Sequence, residues 1–404
     1  MNFNHYIRHV FKINRVHSSF IMTLLLLVLS SCIEPFEGAV DSFEDVLVVN
    51  ATITNENKKQ EVLLSRSFRF EENTTPPEES AQVMVQTDDG SHYIFEEVAP
   101  GKYLSIEAFT AKINKDYTLM ISTQDGKSYT SSSMQLPVQN TSIDYLYAER
   151  TTNNDGVEGM GIFVDSFDAS GTSNYYRHEY IETFKIIAPF WTPFDIVVIA
   201  EGVSTITLDI IMREREERTC YGTNLSRNII IGSTLALSED RLSRYNVRFI
   251  EQDNYILTHR YSVLVRQYVQ SPEAFSYYET LRGLSQSSGN VFSEDQPGFL
   301  AGNIFSLDDP RENIAGFFEV ATVDEKRIFF DYEDFFPGEE APPYIADCMP
   351  FSPSTEGGLG QRDLLNLIYA GEVRFYDFPG VVVRKECGDC TTLGSNVVPD
   401  FWIE

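Results

Sequence analysis

The feature that most constrains this chain is the alternation of short apolar runs with turn residues from Val46 onward. A period of two buries one face of each strand and leaves the other wet, as in an antiparallel sandwich. Val46-Leu47-Val48-Val49 and Val62-Leu63-Leu64 flank the polar turn Asn55-Glu56-Asn57. Val83, Val85 and Thr87 share a face, Asp88-Asp89-Gly90 offers a hairpin turn, and Tyr93-Ile94-Phe95 begins the return. Pro100-Gly101 turns into Tyr103-Leu104-Ser105-Ile106, and Tyr117, Leu119 and Ile121 alternate before Asp125-Gly126. The spacing predicts six or seven strands in residues 46–140, the size of an immunoglobulin-like or transthyretin-like module. Residues 141–404 are expected to form a larger β-rich domain with one or two short helices, so the fold class is all-β. Long strands are expected at Tyr175–Ile187, Thr205–Met212 and Tyr255–Val269. One helix should begin at Ser271-Pro272-Glu273, with cap, first-turn proline and acidic residue in place, and end at Gly283. A second is expected over Arg362–Tyr369. The mixed charges of Arg213–Arg218 read as a solvated strand end.

Ahead of the strands, Arg8, Lys12 and Arg15 precede the apolar run Phe20–Leu29, and no acidic residue occurs before Glu34. Residues 1–31 thus have the layout of a secretion signal, too short in its apolar part to span a bilayer as a helix. The run ends in Leu29-Ser30-Ser31-Cys32, which resembles a bacterial lipobox. Cys32 is therefore expected to be acylated and to become the first residue of the mature protein, held in outer-membrane lipid at the periplasmic or cell-surface face. Residues 32–45, crowded with Glu34, Glu37, Asp41, Glu44 and Asp45, read as an acidic tether.

The chain has 31 Lys+Arg against 60 Asp+Glu and a formal net charge of -29. Phosphate backbones bind through clustered cations, so nucleic acid is not an expected partner. Motifs for catalysis are missing from the pattern. Beyond the leader only His92, His178 and His259 remain, without HExxH spacing, and His178 shares a strand face with Tyr176 and Tyr180 as a packed core histidine does. Gly283-Leu284-Ser285-Gln286-Ser287 falls one residue short of a nucleophile elbow and follows a helix rather than a strand. Gly357-Gly358-Leu359-Gly360 lacks the lysine of a phosphate loop. The acidic stretch Asp331–Glu340 lacks EF-hand spacing and reads as an exposed loop. No cofactor and no enzymatic activity are expected.

Four further cysteines, Cys220, Cys348, Cys387 and Cys390, form an even set. Cys387-Gly388-Asp389-Cys390 is open to three readings: a redox pair, a zinc site completed by Cys220 and Cys348, or structural disulfides. An oxidising compartment and a preceding strand, Val381-Val382-Val383, favour disulfides. Three pairings exist, and long-range bonds constrain the unfolded chain most, so at least one of Cys387 and Cys390 is expected to reach Cys220 or Cys348.

Several segments together resemble the DUF4249 family of Bacteroidetes lipoproteins. These are Arg260–Tyr268, Ser271-Pro272-Glu273-Ala274, Pro297 with Gly302-Asn303-Ile304, Ala315-Gly316-Phe317-Phe318, and Cys387-Gly388-Asp389-Cys390 with Asn396 and Pro399-Asp400-Phe401-Trp402. The resemblance implies a two-part, β-rich outer-membrane lipoprotein often encoded beside TonB-dependent transporters, and it supplies no catalytic residues. The expected function is a non-enzymatic accessory that captures or gates ligand for a TonB-dependent β-barrel. A structural or adhesive surface protein is the alternative, and a glycan hydrolase with paired carboxylates the third.

Overall fold

A computed structural model describes residues 45–67, 75–201, 206–287, 300, 302–352, 360–377 and 380–404. The expected leader, Cys32 and most of the acidic tether lie outside the described residues. The first strands follow the alternation: β1 (Leu47–Thr54), β2 (Glu61–Arg66), β3 (Gln82–Thr87), β4 (His92–Ala99), β5 (Lys102–Ser105), β6 (Asp116–Ser122), β7 (Ser128–Ser131) and β8 (Met134–Gln135). Leu47, Val49, Ala51 and Ile53 point inward from β1, and Val83, Val85, Leu119 and Ile121 meet them from β3 and β6. The β3–β4 and β6–β7 turns share one device, in which Thr87 and Thr123 donate their hydroxyls to Asp89 (2.6 Å) and Asp125 (2.5 Å).

The remaining elements are β9 (Ile143–Thr152), β10 (Glu158–Asp168), β11 (Tyr175–Ile187), β12 (Phe194–Glu201), β13 (Ile206–Met212), β14 (Thr219–Leu225), β15 (Ile230–Ser233), β16 (Asp240–Glu251), β17 (Tyr261–Val269), helix α1 (Pro272–Ser287), β18 (Ile304–Ser306), β19 (Ile314–Phe330), α2 (Gln361–Tyr369), β20 (Val373–Asp377), β21 (Val381–Arg384) and α3 (Lys385–Gly388). The structure is mostly strand, with few short helices, as an all-β fold requires. Ser271 caps α1 by accepting from the Ala274 N–H at 3.1 Å. The helix runs past Gly283, where the sequence predicts a stop, because Gly283 is not among the residues with positive φ that close a helix in the left-handed conformation.

Strand β19 decides the architecture. Its first half, Ile314–Ala321, lies parallel to β1, and its second half, Thr322–Phe330, lies antiparallel to β17. One continuous sheet results, in the order β14-β11-β17-β19-β1-β2-β5-β4-β3-β6-β7-β18. Residues 46–140 consequently do not close a core by themselves: Ala274, Ile304, Ile314, Phe317, Phe318 and Val320 complete it. An edge left open after β7 would expose a row of backbone donors and acceptors, and β18 covers it. Asn303, just before β18, then joins the sandwich to β19. Its side-chain amide donates to the Phe318 carbonyl at 2.9 Å and accepts from the Phe318 N–H at 2.8 Å, as a neighbouring strand would.

The three-stranded sheet β16-β10-β9 supplies the second core, in which Ile162, Val164, Val247 and Ile250 meet Phe184, Tyr261, Val263 and Val265. His178 sits here, 1 % exposed, stacked on Tyr245 with ring centroids 5.1 Å apart. Its Nε2 is 3.0 Å from Gln267 Oε1, and Gln267 donates its amide to the Thr141 carbonyl at 2.9 Å, which assigns the proton to Nε2. Burial, opposed by the Gln267 contact and reinforced by the neighbouring Arg177 charge, pulls the His178 pKa down to about 4. The unfolded chain then binds the proton more readily than the folded one. Stability contributed by the neutral imidazole is complete above pH ~6.5 and is lost as pH falls through about 4, roughly 3 kcal/mol in all. Urea titrations between pH 7 and 4 should show this loss, and His178→Gln should flatten it; an unchanged slope in the variant would assign the proton uptake elsewhere.

The acidic stretch after β19 is packed, not simply exposed. Tyr332 and Phe336 are buried and stacked at 4.5 Å, Arg150 lies over the Phe336 ring and bonds Glu339, and Arg260 bonds Asp331. Arg213–Arg218 likewise departs from a solvated strand end. Arg213 is buried, pairs with Glu217 at 3.0 Å and donates to the Gly388 carbonyl at 2.9 Å, while the Cys390 N–H donates to the Glu217 carbonyl. Glu214, Arg215, Glu216 and Arg218 face water.

Candidate functional site

The four cysteines pair over long range. Cys220 on β14 bonds Cys390, 170 residues on, and Cys348 bonds Cys387, 39 residues on, with Cα–Cα distances of 5.6 Å in both. All of Cys220, Cys387 and Cys390 are fully buried. The C-terminal segment is thereby fastened along β14, where Tyr221 exchanges backbone hydrogen bonds with Ser395 and its ring meets Trp402 edge-on at 4.8 Å. The CxxC segment in this structure is a clasp, and among the described residues no group of three or more His, Cys, Asp or Glu is placed to hold a metal. Ser285, in the near-match to a nucleophile elbow, lies inside α1 and donates its hydroxyl to the Arg282 carbonyl at 2.8 Å.

A cavity with ligand-binding geometry, one of several among the described residues, lies where the sheet passes from β11 and β17 through β19 to β1 and β2. Residues two apart on a strand share a face. Arg177 and Glu179 of β11, Arg266 and Tyr268 of β17, Glu319 of β19, Thr52 and Asn50 of β1 and Glu61 of β2 therefore come out on one side of it. Helix α1 adds Tyr278, and the loop from β14 to β15 adds Ser226, Arg227 and Asn228. All of these but Tyr268 and Glu319, which lie beneath, line an open cavity of about 450 Å³.

Its floor is a buried ionic network. Glu319 is fully buried and accepts from Arg177 Nη2 at 2.8 Å, from Gln270 Nε2 at 2.5 Å and from the Thr52 hydroxyl at 3.4 Å. Arg177 also bonds Glu179, which accepts the Tyr268 hydroxyl at 2.9 Å. The Arg177 guanidinium lies between two aromatic faces, 4.2 Å from the Tyr268 centroid and 4.8 Å from that of Tyr278, and Arg266 approaches the Tyr268 ring at 5.4 Å. Burial alone would pull the Arg177 pKa down; the facing Glu319, with the neighbouring tyrosines and Glu179, overrides it and holds Arg177 well above its ordinary value. A desolvated ion pair of this kind needs every remaining hydrogen satisfied to be stable. One is not: the buried Nε of Arg177 has no hydrogen-bond partner, whereas that of Arg266 faces the Glu325 carboxylate at 3.4 Å.

The rim is donor-rich as well. Asn50, Arg227 and Asn228 are exposed. Glu61 faces Lys102 at 2.6 Å and Glu179 faces Arg177, so the two rim carboxylates are committed to cations. A glycosidase proton donor needs the opposite setting, an apolar pocket that keeps the acid protonated. The arrangement is suited to holding an acceptor-bearing ligand. None of these residues was picked out as a site from the sequence. The available signal was Glu319 alone among Phe317, Phe318, Val320 and Ala321, since a charge inside a buried strand must have a partner.

Fold and site together define a disulfide-clasped β-sandwich protein with a polar, ligand-sized groove where its two halves share a strand. A family model described as a domain of unknown function, DUF4249, matches residues 33–327, and the chain belongs to that family. No curated protein matches it. The matched range contains every residue of the groove and ends within β19, before Cys348, Cys387 and Cys390.

Proposed function

We propose that this protein is a non-enzymatic, lipid-anchored accessory of a TonB-dependent β-barrel at the outer membrane, and that it captures ligand in the β11–β17–β19–β1 groove. The observation that carries the capture role is the groove itself, with the unpartnered Nε of Arg177 behind a rim of exposed donors. The anchor rests on Leu29-Ser30-Ser31-Cys32, and the barrel on the family resemblance. A contact face for a protein partner has support of its own. Ile94, Met84, Met120, Thr130 and Phe305 stand opposite one another across β4, β3, β6, β7 and β18 on the outer face of the sandwich, and Ile94 and Phe305 are each 52 % exposed. An apolar row on the wet face of a sheet is what a partner covers.

Purification of the tagged full chain from its native membrane tests the reading. A TonB-dependent transporter should come with it in near-stoichiometric amount, and Cys32→Ser should move the protein out of the membrane fraction. Retention of the Cys32→Ser variant in outer membranes removes the anchor, and the lack of any barrel among the captured proteins removes the accessory role.

A further inference from the structure

We propose that the groove selects a ligand bearing a carboxylate, and that Arg227 is the residue that receives it. The inference rests on the capture role above and names its ligand chemistry. Three arginines line the groove in a protein that carries 60 acidic residues against 31 basic ones. Arg177 is neutralised by Glu319 and Glu179, and Arg266 by Glu56 and Glu325. Arg227 is exposed and, among the described residues, has no acidic partner. It is the one cation of the cavity wall whose charge is left over.

Its surroundings make the same selection. Asn50 and Asn228 present amides at the rim, and the Nε hydrogen of Arg177 has no partner in the wall. Each is a donor in need of an acceptor, and a carboxylate is an acceptor on both oxygens. Tyr278 supplies an aromatic surface for the uncharged body of the ligand. The carboxylates of the groove itself, Glu61 and Glu179, each face a cation, Lys102 and Arg177, and charges more than about 8 Å away are largely screened at physiological ionic strength. A cavity of about 450 Å³ has room for a short oligomer. The carboxylate belongs either to a uronic acid residue or to a peptide C-terminus, which offer the same group.

Calorimetric titration of the full chain in detergent decides between them. Trigalacturonate and trialanine are the two carboxylate probes; maltotriose and trialanine amide are their counterparts without it. One carboxylate probe should bind with a Kd below ~1 mM, at least tenfold more tightly than its counterpart, and Arg227→Gln should weaken it by roughly 10- to 100-fold, the range of a charge-assisted hydrogen bond. Arg218→Gln, an exposed arginine outside the groove, should leave it unchanged. Equal binding of neutral and charged probes overturns the carboxylate assignment while leaving capture intact, as does tight binding that survives Arg227→Gln. Failure of both carboxylate probes to bind at millimolar concentration also overturns it. Co-purification of the barrel is a separate readout, so loss of the accessory role is told apart from loss of the ligand class.

Discussion

Gly316→Ala is expected to cost on the order of 4 kcal/mol of folding stability, from two contributions of about 2 kcal/mol each. Gly316 has φ +115°, outside the conformations a side-chain-bearing residue adopts without strain. It also lies where three backbones converge: a Cβ on Gly316 would stand 1.9 Å from the Val49 carbonyl oxygen of β1, and one on Gly302 would stand 1.5 Å from the carbonyl oxygen of Gly316. A methyl group here can be accommodated only by separating β19 from β1 or from the Gly302-Asn303 segment, and overpacking of this kind costs 1–3 kcal/mol by itself. Gly126→Ala isolates the first contribution, because Gly126 also has positive φ, +87°, but nothing lies within 4 Å of its added Cβ. Denaturant titration of the two variants should give a loss for Gly316→Ala at least 2 kcal/mol larger. Equal losses would show that the junction yields without cost and that β19 is not the rigid seam described above.

Removal of the Cys220–Cys390 bond should be the second large effect. A disulfide limits the freedom of the unfolded chain in proportion to the logarithm of the loop it closes. For the 170-residue separation this amounts to about 5 kcal/mol, against about 4 kcal/mol for the 39-residue Cys348–Cys387 bond. Cys220→Ala with Cys390→Ala should therefore lower the denaturation midpoint more than Cys348→Ala with Cys387→Ala. The tail retains non-covalent support, with Arg327 over Phe401 at 3.6 Å and Lys185 bonded to Glu404 at 2.9 Å. It should accordingly become sensitive to protease before the sheets unfold. A variant lacking Cys220 and Cys390 that keeps the wild-type midpoint and tail protection would show that strand pairing at Tyr221–Ser395 suffices without the bond.

The elements of this fold were largely legible because each depends on neighbours a few residues away. Alternation located β1 through β6, since a period of two is a local property of a strand with one buried face. Ser271, Pro272 and Glu273 located the start of α1 for the same reason, whereas its end was misplaced because Gly283 stops a helix only if tertiary contacts leave it free to reverse its φ. Arg213–Arg218 failed for a related cause: six charges in a row look solvated until a distant carbonyl, that of Gly388, and a buried Glu217 surround the first of them.

By itself the sequence determined the first six strands and their inward faces, long strands near β11, β13 and β17, the start of α1 and the place of α2, the acidic charge and the cysteine set, all consequences of side-chain type at short spacing. Tertiary structure decided that β19 belongs to both halves of the sheet, and that Asn303 stands in for a strand beside Phe318. It also decided which cysteines pair. The groove is the clearest case. Arg177 and Glu319 are 142 residues apart and carry no spacing that announces a pair, yet β11, β17, β19 and β1 set them 2.8 Å apart, both buried. Burial of such charges is costly unless they meet, and which charges meet depends on strand order, a property that no local pattern encodes.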